Sequence, residues 1–188
     1  MISKADSNKL AYIGNKPGAT KKRDSDSWFT PVEYIESVRT VLGTIDLDPF
    51  SSEKANEIVG AAKIFTVDNS AFDHDWKVGK EVKVFMNPPY SAGLCARSVD
   101  RFIDQYEAGK FVEGIVLANN ATDTRWFSAL VNRCAAICFT DHRISFWNAD
   151  RKSVSGNTRG QAFFYFGKKH QEFKKTFIKH GFIMIPAK

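Results

Sequence analysis

Apolar side chains recur at Ile35, Val38 and Leu42, the spacing that lays a stripe along one face of a helix. The start of that helix is marked three times: Thr30 suits the cap position, Pro31 the first turn, and Glu33 lies where it would close a capping box with Thr30. Gly43 stands where such a helix stops. The chain then changes period. Ile45-Asp46-Leu47 reads as a short buried strand, Glu53 to Val59 as a helix, Ile64 to Val67 as a second strand and Val82 to Met86 as a third. Leu94, Phe102, Ile103 and Tyr106 predict a helix ending near Gly109, followed by a strand over Phe111 to Ala118, a helix over Thr122 to Val131 and a strand over Ala135 to Phe139. Arg143 to Trp147 and Gln161 to Phe166 flank a polar, glycine-containing stretch from Asn148 to Gly160, which predicts a mobile loop at a hairpin-like end of the sheet. A last helix near Phe173 to Phe177 and a strand near Phe182 to Ile185 complete the pattern.

Strand and helix in sustained alternation predict an α/β fold, a mostly parallel central sheet with helices on both faces. With 188 residues, 43% of them hydrophobic, the chain has material for one substantial core. Residues 1–26 stand apart: they are polar, contain Gly14, Pro17 and Gly18, and end near the basic cluster Lys21-Lys22-Arg23. They are expected to form a flexible basic arm, and residues 27–188 the folded domain. The apolar runs are far shorter than a membrane span and no apolar leader core opens the chain, so the expected location is the cytoplasm, with no membrane partner. Cys95, Cys134 and Cys138 are odd in number and lack zinc-finger spacing; even with His142 nearby they are expected to be buried free thiols, with no metal bound.

Charge sharpens the picture once it is divided along the chain. Residues 1–27 carry six Lys or Arg against three acids, residues 28–118 nine against fourteen, and residues 119–188 twelve against four. An acidic middle suits a cationic small molecule, and a basic final third suits a phosphate backbone.

The candidate chemistry sits at Asn87-Pro88-Pro89-Tyr90, which leaves the carboxyl end of a predicted strand, the edge where open α/β sheets bind ligands. Two prolines lack amide hydrogens, so the local carbonyls are left as outward acceptors. Asn87 adds a side-chain oxygen. An exocyclic amine on a nucleobase is a poor nucleophile because its lone pair is delocalised into the ring; two acceptors on its hydrogens, Asn87 and the Pro88 carbonyl, draw that pair toward attack. Tyr90 offers a flat face for an extruded base.

These residues resemble the catalytic motif of amino-methyltransferases, with Thr30-Pro31 and Asp48-Pro49-Phe50 similar to their cofactor-binding segments. Together with Trp28-Phe29-Thr30-Pro31, Ile45 to Pro49, Thr122 to Phe127, Arg143 to Phe146 and Gly160 to Gly167, the set resembles the phage-type DNA N6-adenine methyltransferase (Dam-like) family over residues 28–185. The resemblance implies a Rossmann-like domain, S-adenosylmethionine as cofactor, DNA as partner, and methylation of adenine N6 by base flipping and direct transfer. It implies that Thr30, Pro31, Asp48, Pro49, Phe50 and Ser51 border the cofactor; by position between the second and third strands, Asp68 is favoured over Asp73 to meet its ribose or adenine, and Trp28 and Trp76 are the candidate stacking rings. Tyr90, Arg125, Trp126, Arg143 and Phe146 would meet the DNA, Phe146 as a second wall facing Tyr90, with Arg151, Lys152 and Arg159 adding charge. One departure stands out: the loop Asp48 to Asn56 contains no glycine, where methyltransferase loops are usually glycine-rich. None of the three cysteines follows a proline, which argues against a cytosine-C5 enzyme, and the basic final third argues against a protein-glutamine methyltransferase. A cytosine-N4 enzyme and a catalytically degenerate DNA-binding fold remain the alternatives.

Overall fold

The computed structural model describes residues 28–187 apart from 92, 149 and 154–156; the expected N-terminal arm lies outside the described residues. The elements run α1 (Val32–Leu42), β1 (Leu47–Asp48), α2 (Glu53–Val59), β2 (Lys63–Ile64), β3 (Lys83–Met86), α3 (Leu94–Glu107), β4 (Glu113–Asn119), α4 (Arg125–Arg133), β5 (Ala136–Thr140), β6 (Gln161–Phe166), α5 (His170–Phe177), a 3-10 turn (Ile178–His180) and β7 (Gly181–Met184). The strands form one sheet in the order β2-β1-β3-β4-β6-β5-β7.

Side chains alternate across this sheet as strand geometry requires. Phe85, Ile115, Leu117, Ala136, Cys138, Phe163 and Tyr165 face one layer, where they meet Ile35 and Val38 of α1, Ile58 of α2 and Phe173 and Phe177 of α5. Val84, Met86, Val116, Ala118, Ile137 and Phe164 face the other, where they meet Val99 and Phe102 of α3 and Phe127 and Leu130 of α4. Helices therefore cover both faces, as the alternation predicts. The three cysteines are buried thiols that form no disulfide among the described residues.

The sheet is mixed, however, rather than mainly parallel. β1 to β4 run together, but β6 is antiparallel to both β4 and β5, and β7 is antiparallel to β5. The cause is the connection after β5. Among the described residues no crossover helix lies between β5 and β6, so β6 enters directly beside β5, and a direct return is antiparallel. Residues 143–146 are not a strand flanking that return; only isolated bridges tie Trp147 to Phe29 and to Ser153. β6 finds its partners in β4 and β5 instead.

The strand order reverses once in a way that matters. From β1 the chain moves outward to β2, then comes back to place β3 on the other side of β1. A crevice opens between two strand ends wherever the order turns back like this, and here those ends are Asp48 and Met86.

Candidate active site

Asp48 closes β1 and is 4% exposed. Its Oδ1 accepts from the Phe50 amide at 3.3 Å. Burial pushes the carboxyl up to about 7; the nearby Ser51 hydroxyl and the Phe50 amide offset part of that rise. The loop turns without glycine because it needs none: Arg151 is the non-glycine residue with positive φ among the described residues, so Pro49 to Ser52 take ordinary backbone angles. Ser52 then caps α2, accepting from the Ala55 amide at 3.2 Å. Pro49 is buried, and Phe50 packs on Phe72 (5.3 Å between ring centres) and Trp76 (6.2 Å). Trp76 is wholly buried, its indole N–H donating to the Ala71 carbonyl, and so it belongs to the core rather than to a ligand.

Across the crevice, Asn87 follows β3. Its Nδ2 donates to Thr30 Oγ1 at 3.4 Å, while its Oδ1 is buried without a partner among the described residues. The sequence reading made Thr30 a helix cap. In the structure the cap position of α1 is Pro31 with no side-chain cap bond, and Thr30, 4% exposed, spends its hydroxyl on Asn87. Thr30 reaches that position because the segment before α1 is pinned from the far end of the chain. Phe29 and Trp147 exchange backbone hydrogen bonds of 2.7 and 2.9 Å, and Trp28 stacks on Phe146 with ring centres 5.8 Å apart.

Pro88 and Pro89 are buried and Tyr90 half-buried. The Tyr90 hydroxyl donates to the Leu117 carbonyl at 3.4 Å. Burial and the neighbouring Cys95 hold its pKa well above the ordinary range, partly offset by backbone hydrogen bonding at Asn119 and by the charge of Arg159. The charge of Arg159 is thus felt at the Asn87–Tyr90 turn.

The other expected residues divide. Arg125, exposed, opens α4 on the same strand-end edge, behind a Thr124 cap. Trp126 is half-buried and packs edge-on to Phe127. Arg143 is exposed just beyond β5. Phe146 is 3% exposed and has Trp28 as its stacking partner, so it backs Trp28 instead of presenting an open wall. Asp68 is exposed in the turn after β2 and Asp73 exposed a few residues on. Arg151 pairs with Glu57 at 2.8 Å. The sequence reading passed over Asn119, Asn157 and the role of Gln161. The available signal was positional: a polar residue ends the apolar strand β4, and another begins β6.

Among the described residues no group of three His, Cys, Asp or Glu could hold a metal ion, and no helix is long and apolar enough to cross a membrane. No curated protein matches the chain. The family model described as DNA N-6-adenine-methyltransferase (Dam) matches residues 18–180.

Proposed function

The chain belongs to the DNA N-6-adenine-methyltransferase (Dam) family, and on that premise we propose that it methylates the N6 amine of adenine in DNA, with S-adenosylmethionine as cofactor and Asn87 to Tyr90 as the site of transfer. The observation that carries this reading is the buried, unpartnered Oδ1 of Asn87. An acceptor left unmade in a protein interior costs about 1–3 kcal/mol, and a group kept at that cost beside a ligand crevice has a partner that arrives with the ligand. An amine hydrogen is such a partner.

The residues at the crevice fit the cofactor: Asp48 sets a carboxyl, poised near neutrality, at the strand end where a cationic ligand would meet it. Bound there, S-adenosylmethionine supplies a methyl group activated by its sulfonium charge. Trp28, Thr30, Pro31, Pro49, Phe50 and Ser51 would shape its surroundings, with Asp68 toward its ribose end. On the other side of Asn87, Tyr90 stacks on the extruded adenine. Asn87 Oδ1 and the Pro88 carbonyl accept the two amine hydrogens and localise the nitrogen lone pair. With S-adenosylmethionine bound, its methyl group would pass to that nitrogen, the electron pair of the breaking carbon–sulfur bond would stay on sulfur, and one amine proton would leave to solvent. Thr30 holds the Asn87 amide in the orientation that turns Oδ1 toward the amine. Catalysis rests on orientation and fixed dipoles. Arg125, Trp126, Arg143 and Arg159 supply contacts to the DNA, with Phe146 supporting Trp28 behind them.

The test is transfer of labelled methyl from S-adenosylmethionine to unmethylated DNA, followed by nucleoside analysis. N6-methyladenine is the expected product. N4-methylcytosine would keep the chemistry and change the base, and DNA binding without transfer or cofactor binding would mark a degenerate fold.

A further inference from the structure

The segment between β5 and β6 leaves and returns at one edge of the sheet, and both of its ends converge on a single side chain. Gln161, the first residue of β6, is fully buried. Its Oε1 accepts from the Ile144 amide (3.2 Å) and from Asn157 Nδ2 (3.1 Å), and its Nε2 donates to Asn119 Oδ1 (3.1 Å), to the Arg159 carbonyl (2.8 Å) and, at 3.4 Å, to Asn157 Oδ1. Asn157 closes the ring by donating to the Ile144 carbonyl (3.0 Å) and accepting from the Arg159 amide (3.1 Å). A primary amide has two donor hydrogens and two acceptor sites, and all four are used. Every neighbouring position of β6 is filled by an apolar or aromatic residue, so strand formation alone does not call for glutamine here.

What the amide joins is informative. Asn119 ends β4, two residues past Leu117, whose carbonyl receives the Tyr90 hydroxyl. Ile144 follows Arg143. Arg159 is held by its own main chain, through both its amide and its carbonyl, and its charge is felt at Tyr90. The joint contains only neutral amides, so its geometry does not change with pH as an ion pair would.

We propose that Gln161 is a positioning residue for the DNA side of the site: its side-chain amide clamps both ends of segment 144–160 to the end of β4, fixing Arg159 toward Tyr90 and Arg143 at the root of the same segment as contacts to the phosphates beside an extruded base. This rests on the reading of DNA as substrate. Gln161 touches neither base nor cofactor; it acts through the arginines it places.

Gln161→Met keeps the side-chain length and removes all five side-chain hydrogen bonds, and Asn157→Ala removes one arm of the joint at a half-buried position. Gln161→Met is expected to raise the KM for DNA roughly tenfold or more, since small misplacements of positioning groups are costly, and Asn157→Ala to raise it less. In both, kcat at saturating DNA and the affinity for S-adenosylmethionine stay within about threefold of wild type, a change under ~0.7 kcal/mol. In the background of Arg159→Ala, either substitution adds little further, because the clamp works through that arginine. Costs that multiply in the double variants, or an equal loss of cofactor affinity, would mean that the amide serves only the fold and would overturn the proposal. If Gln161→Met fails to fold, the Asn157→Ala cycle decides by the same criterion. Reading the cycle in equilibrium binding of a labelled duplex, as well as in KM, separates the two levels. A wild-type chain that binds DNA without transferring methyl groups defeats the catalytic reading and leaves the clamp to be judged by the binding cycle, whereas one that binds no DNA defeats both.

Discussion

Asn87 and Asp48 are both held in conditions that work against the folded state, one as an unpaired acceptor and the other as a buried carboxyl. Removing the Asn87 amide in Asn87→Ala should lower kcat by about a hundredfold or more, the loss typical of a missing transition-state partner, while DNA and cofactor binding change little; a variant with wild-type turnover would exclude the assigned role. Asp48 has a pH signature. Its folded pKa of about 7 lies above its unfolded value of 3.8, so the folded state holds the extra proton between these values and the carboxyl subtracts stability as pH rises through that window. His180 works in the opposite sense. Buried beside Ser37, it is lowered from 6.5 to about 4 by burial, Lys179 and His142, so it supports the fold above pH 6.5 and loses that support as pH falls toward 4. Asp48→Asn removes only the first effect. Its advantage over wild type in urea unfolding should be small near pH 4.5 and grow by pH 8 to at most about 4 kcal/mol, at ~1.4 kcal/mol per pKa unit, while cofactor affinity falls; an advantage independent of pH would count against the raised pKa. The Asn87–Tyr90 turn at the end of β3 was legible because proline and asparagine announce a turn by type. Thr30 was misassigned because a threonine before a proline and a glutamate satisfies the local rule for a helix cap equally well, and only its neighbour from residue 87 shows which demand it meets. Phe146 was misplaced for the complementary reason: a sequence shows that a ring is present but not which side of it is covered.

Elements whose signal is local came through nearly unchanged. α2 occupies the expected Glu53–Val59, and α3 and β3 differ from expectation by a residue or two at their ends. β1 and β2 shrank to two residues each, since strand length is set by the partner's register as well as by the apolar run. The segment 143–146 failed for the same reason in stronger form: its apolar residues are buried by α1 and Trp28, so burial without a strand partner reproduces the pattern of a strand. Gly181 shows how tightly one pairing is specified. It opens β7 opposite Thr140, and a Cβ there would run into the Phe139 carbonyl and come within 2.8 Å of the Asp141 amide. Both contacts are backbone, so neither can move aside. Gly181→Ala should therefore lower the unfolding free energy by about 2 kcal/mol or more and raise hydrogen exchange selectively along β5 and β7, which amide exchange rates would show; uniform exchange with unchanged stability would refute the packing argument.

For the molecule as a whole, the charge division survives folding in a useful form. The acidic middle contributes the β1 and β3 ends, and the basic last third contributes Arg125, Arg143 and Arg159 along the neighbouring edge. DNA affinity should fall linearly in log–log terms with salt, because each neutralised phosphate releases counterions, whereas cofactor affinity should respond far less; equal salt slopes for the two would argue against a phosphate-binding edge. Overall topology was the least legible level, because whether a strand enters beside its predecessor or is inserted elsewhere depends on the return path after β5, which periodicity does not record. That insertion governs when the protein comes into being during synthesis. β4 and β5 are joined only through β6, so a ribosome that has released 150 residues has made five of the seven strands and has left a gap between the last two. The Asn119 end of β4 gains its final support when residues 161–166 close that gap. A message cut short before that point yields bare strand edges prone to aggregation rather than a smaller domain with its crevice intact.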